Sequence, residues 1–311
     1  MKRRLVDVLV CPDCKEPLGL EPAVVDGDEI MEGRLTCPDC QRAYPVRAGV
    51  PRFLSESTYA ENFGYEWHRF RVVQLDSANG TCESATSFNR KTGLTADAVR
   101  GALVLDAGVG AGRYAEAVAD WGGEVVGVDV THAVDAAFAN IGRRPGIHLI
   151  QADIFALPFR DETFDLAYSI GVLHHTPSPA AAFARVAATV KKGGQLAIYV
   201  YEAAGLARHF SDLLRTLTTR LPREMVYVAS IAAGPLYYLY RVPVVSRLFQ
   251  TVVPISLHPQ WRWRWLDTFD WYSPRYQWKH TYPEVLGWFW TAGFSPLYAA
   301  EEAICLRGVK A

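Results

Sequence analysis

The segment LVLDAGVGAGRYAEAVADWGGEVVGVD, residues Leu103 to Asp129, decides the fold. Its first apolar run, Leu103 to Leu105, is too short for a helix and typical of a buried parallel strand. Three glycines at alternate positions follow, then helix-forming residues, and then a second apolar run that ends at Asp129. This order of strand, glycine turn, helix, strand and acid predicts half of a doubly wound α/β fold.

The glycine turn, Gly108, Gly110 and Gly112, would let a ligand lie against the main chain, because glycine has no Cβ atom in the way. Asp129, at the end of the second strand, can accept hydrogen bonds from both hydroxyls of a ribose. Dinucleotide dehydrogenases favour the spacing GxGxxG, because a pyrophosphate sits on the helix N-terminus. The spacing here is GxGxG, and Asp106 before the turn suits a cationic or amino-acid ligand better than a pyrophosphate. A dehydrogenase is therefore the least favoured interpretation.

This segment resembles the first motif of class I S-adenosylmethionine (SAM) methyltransferases, usually written Asp-x-Gly-x-Gly-x-Gly. Later segments extend the resemblance to the type 11, or quinone-biosynthesis-type, methyltransferase pattern over roughly residues 100 to 200. These segments are Gln151 to Phe159, Phe164 to Asp165, Gly171 to Thr176 and Lys192 to Gly194. One departure is Val109, where the family often has cysteine, and no step of the chemistry depends on that thiol.

The resemblance implies a seven-stranded, doubly wound, Rossmann-like sheet with SAM as the cofactor. It implies that Gly108 and Gly110 line the methionine part of SAM. It also implies that Asp129 holds the ribose hydroxyls and that Asp153, with Ile154, contacts the adenine. The full set of predicted cofactor-binding residues is Asp106, Gly108, Gly110, Gly112, Asp129, Asp153 and Ile154.

The composition predicts a folded protein with a sizeable core. Half of the 311 residues are hydrophobic and 21% are charged, so disorder is not expected. The net charge is −1, so no overall positive field draws the chain to nucleic acid. A secretory signal is not expected, because the cysteine pair at residues 11–14 comes before an apolar core could form. We therefore expect a cytoplasmic protein.

Two copies of the tetrapeptide Cys-Pro-Asp-Cys, at residues 11–14 and 37–40, predict a metal site. Four thiolates on two such knuckles complete a tetrahedral zinc site with no open position for catalysis. A structural role follows, because so small a module buries too little apolar surface to fold without the metal. A redox dithiol needs only one such pair and is the weaker alternative, and an iron–sulfur cluster is weaker still. The predicted zinc ligands are Cys11, Cys14, Cys37 and Cys40.

The sequence around these cysteines resembles the short zinc-ribbon proteins of bacteria. It is also similar to the small activator subunits of certain tRNA, rRNA and protein methyltransferases. The segments that carry the likeness are Leu9 to Pro12, Gly33 to Cys37 and Tyr44 to Leu54. In the activators, an added strand of the ribbon completes the sheet of the catalytic domain. The resemblance implies that the same ribbon is here fused in cis.

The chain divides into five predicted segments. A zinc ribbon precedes an aromatic-rich bridge, a SAM-binding core, a helical insertion after the fifth strand, and the last part of the methyltransferase sheet. Their predicted bounds are 1–55, 56–100, 101–204, 205–265 and 266–311.

Two of these segments are predicted to cover the core. Phe63, Trp67 and Phe70 fall on one helical face of the bridge, which favours packing on the core and allows a lid over the cofactor. The insertion holds an amphipathic stretch, Leu206 to Leu221, and an apolar stretch, Met225 to Tyr240, that is too short to span a bilayer. We expect a helical cap. The alternative is a hydrophobic substrate lid in peripheral contact with a membrane.

Local patterns predict the remaining elements. Ala180 to Val190 is predicted to be a helix and Gln195 to Tyr201 the fifth strand. The alternation of tryptophan and arginine in Trp261 to Trp265 favours a half-buried hairpin or loop. Thr281 and Glu284 form a capping box for a later helix.

Few side chains in the predicted core could act as a base. Methyl transfer is an in-line displacement at a sulfonium carbon, so binding and orientation supply much of the rate. A base is needed only when the nucleophile carries a proton, and a histidine titrating near neutrality could accept that proton. The candidates are His174 and His175, at the edge of the fourth strand, and His280. The candidate substrate contacts are Tyr65, Trp67, Asp270, Tyr272, Arg275 and Tyr276. Those from Asp270 onward, with His280, resemble a segment that lies over the active site in some members of the methyltransferase family.

Three functions are compatible with these features. We expect a SAM-dependent methyltransferase with a small-molecule, glycoside or lipid-like acceptor. The first alternative is an RNA methyltransferase, suggested by the relatives of the ribbon. The near-zero charge opposes it, as does the edge Ser169 to Val172, which lacks the Asn/Asp-Pro-Pro-aromatic signature that gathers a planar amino nitrogen. The second alternative is a non-catalytic SAM-binding scaffold. Nucleic acid is not expected as a partner, and the sequence does not give the oligomeric state.

Overall fold

The N-terminal ribbon is an antiparallel sheet of four short strands. The computed structural model describes residues 1–54, 59–203, 206–242, 246, 249–250 and 252–311. The ribbon strands are β1 (Gly19–Asp26), β2 (Glu29–Thr36), β3 (Ala43–Arg47) and β4 (Val50–Pro51), paired in chain order. The turns that carry the cysteines, residues 11–14 and 37–40, precede β1 and β3.

The central sheet has seven strands within the described part of the chain. They are β5 (Leu103–Ala107), β6 (Glu124–Asp129), β7 (Ile147–Gln151), β8 (Phe164–Ile170), β9 (Val190–Tyr199), β10 (Phe294–Ala299) and β11 (Cys305–Lys310). Their spatial order is β10-β11-β9-β8-β5-β6-β7. β5 to β9 run parallel, and β11 pairs antiparallel with both β9 and β10. The predicted seven-stranded, doubly wound fold is confirmed.

Helices cover both faces of this sheet, so the parallel strands can be apolar on both sides. Those before the last parallel strand are α1 (Glu61–Phe70), α2 (Asp76–Asn79), α3 (Glu83–Thr92), α4 (Ala96–Val99), α5 (Arg113–Asp120), α6 (Ala133–Ala137) and α7 (Pro179–Ala188). Those after it are α8 (Leu206–Thr218), α9 (Arg223–Ser230), α10 (Ala233–Tyr240), α11 (Trp261–Tyr272) and α12 (Tyr282–Thr291). The predicted cap of α12 is present, since the Thr281 hydroxyl accepts from the Glu284 N–H at 3.4 Å.

The ribbon extends the central sheet at the β7 edge. Arg52, just after β4, bridges Gln151 in the parallel direction, and the Phe53 N–H donates to the Gln151 carbonyl at 2.8 Å. Nearby, the Val10 N–H donates to the Pro158 carbonyl at 2.9 Å. Because these are main-chain pairings, the ribbon continues the hydrogen-bonding pattern of the sheet, as its resemblance to the activator subunits implies.

Two local predictions were wrong. The Trp261–Trp265 segment is the first part of α11 and not a hairpin or loop. In this helix Trp263, Leu266 and Phe269 form one buried face at three-residue spacing, so tertiary packing overrides the period-two pattern. The fifth parallel strand begins at Val190 and not at Gln195. Its register against β8 shifts between the pairs Phe164–Val190 and Leu166–Gln195, so the lysine–glycine segment is an irregular part of the strand.

Helices α8 to α11, called the cap below, pack over the carboxyl ends of the strands. The predicted boundary at residue 265 falls inside α11, and the boundaries at 55/56 and 204/205 involve residues outside the described ranges. The outer surface of the cap is apolar, with side chains more than half exposed at Leu213, Leu217, Met225, Val228 and Tyr238. Among the described helices, none combines the length and the apolar character that a membrane crossing requires.

Candidate functional site

The glycine turn connects β5 to α5, and its three glycines all have positive φ. The angle is +103° at Gly108, +52° at Gly110 and +94° at Gly112. A Cβ atom at Gly108 would lie 2.2 Å from a methyl of Val172, and one at Gly110 would lie 3.1 Å from the indole nitrogen of Trp67. Only glycine fits both the backbone and the space, so the turn leaves its main chain open to a ligand.

Asp129 ends β6, and main-chain groups orient its carboxylate. One oxygen accepts from the Gly110 N–H at 3.0 Å, and the other accepts from the N–H and hydroxyl of Thr131 at 2.9 and 2.8 Å. Burial raises the pKa of Asp129, and these three donors oppose the shift. The carboxylate is therefore fixed beside the glycine turn, as the predicted ribose contact requires.

Asp106 lies beneath the glycine turn and is buried. The Tyr168 hydroxyl donates to its carboxylate at 2.8 Å. Burial raises the pKa of Asp106 to about 8, the nearby Asp129 adds to the shift, and the tyrosine opposes it. Asp106 is set back from the cavity described below, so its carboxyl supports the turn from behind.

The predicted adenine contacts follow β7. The Asp153 carboxylate accepts from the Phe155 N–H at 3.0 Å and from the Tyr59 hydroxyl at 3.4 Å. These bonds fix the loop, and the neighbouring Ile154 side chain lines the cavity. An apolar side chain beside a held loop is compatible with the predicted adenine contact.

A cavity of about 740 Å³ lies over the carboxyl ends of the parallel strands. Ligands of doubly wound folds bind at this edge. Residues on its sheet side are Gly108, Gly110, Asp129, Ile154, Val172, His175, Tyr199 and Tyr201. Residues on its helical side are Phe63, Glu66, Trp67, Trp263, Asp267, Asp270 and Trp271. Helices α1 and α11 therefore cover the ligand edge of the sheet.

The two histidines after β8 have different surroundings. His175 lines the cavity, and its Nδ1–H donates to the Tyr276 carbonyl at 2.7 Å, which leaves Nε2 as the acceptor. Burial lowers the pKa of His175 to about 4. His174 is fully buried and stacks on Tyr201, with ring centroids 3.9 Å apart. Burial lowers the pKa of His174 well below its usual value. Of this pair, His175 is the one that faces a ligand, contrary to the expectation for His174.

Most of the substrate contacts predicted near the C-terminus lie outside the cavity wall. His280 is buried, and its Nδ1 pairs with Glu284 at 2.9 Å. The Tyr272 hydroxyl donates to the Pro254 carbonyl at 2.8 Å. Arg275 is exposed. Each of these three side chains is engaged in packing, in another pairing or at the surface, and a contact with substrate stays a prediction for them.

Of three further predicted substrate contacts, one lines the cavity and two pack against neighbouring residues. Trp67 lines the cavity. Tyr65 instead packs edge-on against Tyr227, with ring centroids 5.6 Å apart, and belongs to the cap interface. Tyr276 lies behind His175 and accepts its hydrogen bond through the main chain. Trp67 is therefore the one of these three that can touch a ligand directly, and Tyr65 and Tyr276 hold neighbouring residues.

Sequence reasoning missed two carboxylates in the cavity wall. Glu66 precedes Trp67 on α1, and Asp267 precedes Asp270 by three residues on α11. Acidic residues on amphipathic helices usually face solvent, so neither position attracted notice. The signal that could have found Asp267 is the apolar stripe of α11, once that segment is read as a helix.

The four predicted zinc ligands converge in the ribbon. Their sulfur atoms lie within 4.8 Å of one another, with pairs at 3.3 Å (Cys14–Cys37), 3.6 Å (Cys11–Cys40) and 3.9 Å (Cys14–Cys40). Zn–S bonds of about 2.3 Å in a tetrahedron place sulfur atoms about 3.8 Å apart. The cluster therefore fits a closed, structural zinc site.

Two parts of the chain match known families. Residues 105–198 match the family described as methyltransferase domain, and residues 2–49 match the family described as Trm112p-like protein. The first match runs from β5 to the end of β9 and includes the glycine turn. The second match includes all four cysteines.

Individual relatives align mainly with the methyltransferase core. A Homo sapiens protein named probable tRNA methyltransferase 9B is 35% identical over 113 residues, which is 35% of this chain and 24% of that protein. Demethylmenaquinone methyltransferase of Renibacterium salmoninarum is 36% identical over 146 residues, which is 46% of this chain and 58% of that protein. A solved SAM-dependent methyltransferase from Mesorhizobium loti is 30% identical and covers 32% of this chain and 47% of its own, with a TM-score of 0.30.

The chain spans about a quarter of the length of the first relatives that it matches. The likeness therefore concerns the core and not those whole proteins. By the two family matches, residues 105–198 form a SAM-dependent methyltransferase domain, and a Trm112p-like zinc ribbon precedes it in the same polypeptide.

Proposed function

We propose that this protein transfers a methyl group from SAM to a small molecule enclosed between the sheet and the cap. The observation that carries the proposal is the covered cavity, which has strand ends on one side and α1 and α11 on the other. Its volume lies within the range of ~300–1,000 Å³ typical of ligand sites. A small acceptor held there would lie between the strand ends and the two helices, which would restrict its orientation.

The proposed role of each residue follows from where it lies in the cavity. SAM, when bound, supplies an electrophilic methyl group. The glycine turn lets the cofactor approach the main chain, and Asp129 holds its ribose. Phe63 and Trp67 of α1 cover this end of the cavity and exclude water. The cofactor is thereby oriented before an acceptor arrives.

His175 is the proposed proton acceptor for a hydroxyl nucleophile. Its Nδ1–H is already donated to Tyr276, so Nε2 is the atom that can take a proton from the acceptor. Burial lowers the pKa of His175 to about 4, so the ring is neutral at neutral pH, and the same shift makes it a weaker base than a free histidine. A nucleophile that carries no proton would not need this residue.

The cofactor is tested by titration calorimetry with SAM, S-adenosylhomocysteine and NAD. SAM and S-adenosylhomocysteine should bind the wild type. Asp129→Ala should bind SAM at least about tenfold more weakly, since it loses charge-assisted hydrogen bonds to the ribose. Asp97→Ala is the matched control, because the Asp97 side chain is 95% exposed. Binding of NAD alone, or of none of the three, would contradict the proposal.

A tRNA acceptor is the second candidate. Two findings favour it: the likeness to proteins named tRNA methyltransferase 9B and the Trm112p-like ribbon. The net charge of −1 and the carboxylates in the cavity wall oppose it, since both repel phosphates.

An assay with methyl-labelled SAM distinguishes the two candidate acceptors. The protein is incubated with total tRNA in one reaction and with a small-molecule and lipid extract of cells in another. We expect label in the extract and none in the tRNA, and no label in either with Asp129→Ala. Label in the tRNA that depends on Asp129 would move the conclusion to the second candidate.

The apolar outer surface of the cap supports peripheral contact with a membrane. If the acceptor is lipid-like, the protein should sediment with lipid vesicles. Leu217→Glu, at a side chain 60% exposed, should then reduce sedimentation without lowering stability. Equal sedimentation of wild type and variant would contradict this part of the proposal.

A further inference from the structure

Three carboxyl groups meet on the helical side of the cavity. Glu66 comes from α1, and Asp267 and Asp270 come from α11, which packs against α1. Asp267 and Asp270 are three residues apart and therefore share one face of the helix. All three side chains line the same cavity as the glycine turn and His175.

Their hydrogen bonds leave one buried oxygen, on Glu66, without a partner. Asp267 accepts from the Ser256 hydroxyl at 2.9 Å and from the Gln74 amide at 3.4 Å. Asp270 is hydrogen-bonded by Tyr201. Glu66 is 1% exposed, and its Oε2 atom has no hydrogen-bond partner. A buried, unpaired carboxylate in a cavity wall is costly unless a ligand supplies the missing partner.

The nearby arginines make their direct hydrogen bonds to other groups, although Arg113 attracts Asp267 and Arg215 attracts Asp270 through space. Arg215 donates to the carbonyl oxygens of Trp271 and Pro274 at 3.0 and 2.7 Å. Arg113 donates to the Gln74 side chain at 2.7 Å. Within the described ranges, none of the three carboxyls forms an ion pair. Burial raises the pKa of Asp267 to about 6 and that of Asp270 to about 7, with mutual repulsion adding to the shift of Asp270 and to that of Glu66. A positive group placed among them would relieve this repulsion.

The surroundings favour an organic cation over a metal ion. Among the described residues, the four cysteines are the one group of three or more metal-ligating side chains whose donor atoms lie within 4.8 Å of one another. The three carboxyls are thus too far apart to close around a bare ion. Aromatic rings of Trp67, Tyr201 and Trp271 line the same cavity. Aromatic faces beside carboxylates attract ammonium and guanidinium groups.

We propose that Glu66, Asp267 and Asp270 form a recognition site for an organic cation, namely an amino, alkylammonium or guanidinium group of the acceptor. This inference rests on the proposed function, because it assigns the acceptor of that same cavity to the positively charged small molecules. The cation would lie against α1 and α11, whereas the ribose of the cofactor lies against Asp129 at the end of β6. The methylated atom and the cationic group of the acceptor need not be the same.

The probe for this site is tetramethylammonium, which carries the charge but cannot accept a methyl group. Its binding is measured by calorimetry on the full chain saturated with SAM, and separately with S-adenosylhomocysteine, against sodium chloride at equal ionic strength. We expect saturable binding with either cofactor form. Glu66→Gln and Asp270→Asn should each weaken it at least about tenfold.

Glu83→Gln is the matched control, because Glu83 also lines the cavity but is paired with His258 at 3.1 Å. It should bind the probe as the wild type does. The amide variants remove repulsion between buried carboxyls, so they should melt at or above the wild-type temperature, which separates lost recognition from lost folding. Either of the two variants suffices if the other does not fold.

Two results would overturn the inference. One is the absence of binding beyond that of sodium chloride, or equal binding by both amide variants. The other is binding that occurs with S-adenosylhomocysteine but not with SAM, because the probe would then occupy the sulfonium position of the cofactor. Failure of the proposed function itself looks different: neither cofactor form binds, while the ligand-free protein still tests the carboxyl cluster.

Discussion

The ribbon and the cap are both attached to the central sheet, and they use different interactions. The ribbon attaches at the β7 edge through charges and main-chain hydrogen bonds, and its buried apolar side chains share one hydrophobic cluster with the sheet. Lys2 Nζ donates to the carbonyl oxygens of Gly142 and Ile147 at 2.7 and 3.0 Å, and Arg52 pairs with Asp135. The cap packs on α1 through aromatic rings: Phe70 of α1 and Trp265 of α11 have ring centroids 5.2 Å apart.

The two attachments differ in whether they depend on residues close together in sequence or far apart. The ribbon is closed by four cysteines within residues 11–40, so its structure depends on local spacing and a metal. The cap depends on contacts between residues far apart in sequence, such as Phe70 and Trp265. An attachment that depends on a metal and on charge pairs and an attachment held mainly by aromatic rings should respond to different perturbations. Most of the following five predictions test that contrast.

Removal of the metal should have the largest effect. Structural zinc contributes up to about 10–16 kcal/mol of apparent folding free energy in small modules. Chelation, or Cys37→Ala, should therefore unfold the ribbon while amides of the cap stay protected from hydrogen exchange. Cys82→Ala is the control, because Cys82 is exposed and outside the cluster, and it should change neither region. Protected ribbon amides after complete metal removal would break the comparison.

Truncation of a buried aromatic side chain in the cap should have the second-largest effect. Phe269 is fully buried between Tyr65 and Tyr227, with ring centroids 6.2 and 5.8 Å away. Phe269→Ala should cost about 3–5 kcal/mol, since it removes a buried aromatic ring and leaves a cavity. The loss is measured by denaturant unfolding, and chelation should not enlarge it in the cap. Phe249→Ala, at an exposed ring of the same region, should cost much less. Equal losses would mean that the cap is not held by this cluster.

Acid should destabilise the fold through His175, because protonation places a charge on a buried ring. Burial lowers the pKa of His175 from 6.5 to about 4, so the unfolded state binds a proton that the folded state does not. Stability should be full above pH 6.5 and fall as the pH drops towards 4, by up to about 3 kcal/mol from this residue. His175→Phe should reduce this dependence, and His132→Phe, at a side chain 74% exposed, should not. Identical pH profiles for wild type and His175→Phe would contradict the assignment.

Loss of the Arg52 contacts should have the smallest effect. Its guanidinium pairs with Asp135 and donates to the Gln151 side chain at 3.2 Å. Arg52→Met should cost about 1.5–3 kcal/mol, the usual value for hydrogen bonds to charged groups. It should also speed hydrogen exchange at the Phe53 amide. Arg47→Met is the control, because the Arg47 side chain is exposed. An unchanged Phe53 amide would show that the ribbon does not depend on this charge pair.

High salt sharpens the same contrast without a mutation. At about 1 M salt, charge interactions are screened beyond about 3 Å, so the protection of Phe53 should fall while that of the cap amides holds or rises. A loss of protection confined to the cap would reverse the comparison.

Much of the fold could be predicted because the main signals are local. The apolar runs of β5 and β6, the glycine turn and Asp129 lie within one segment of 27 residues, Leu103 to Asp129, and the zinc ligands lie in two short repeats. The helix at Trp261–Tyr272 was missed, although Trp263, Leu266 and Phe269 follow a helical spacing, because the tryptophan–arginine alternation also fits a strand.

The main-chain features of the candidate site could be predicted from the sequence, but the roles of its side chains could not. The sequence identified the glycine turn, because positive φ and close approach require glycine wherever they occur. It could not distinguish His174 from His175, since adjacent residues with the same chemistry differ only in what packs on them. His174 stacks on Tyr201, and His175 faces the cavity.

The sequence by itself determined the doubly wound α/β core, the glycine turn and the four zinc ligands, because each follows from spacing along the chain, whereas the seven strands and the SAM-type site were implied by the family resemblance. Only the tertiary structure decided what covers the cavity. Glu66 and Asp270 are about two hundred residues apart in sequence, and they meet because α1 packs on α11. Such a meeting depends on which apolar faces pack together, and that choice is made by the whole folded chain rather than by any local segment.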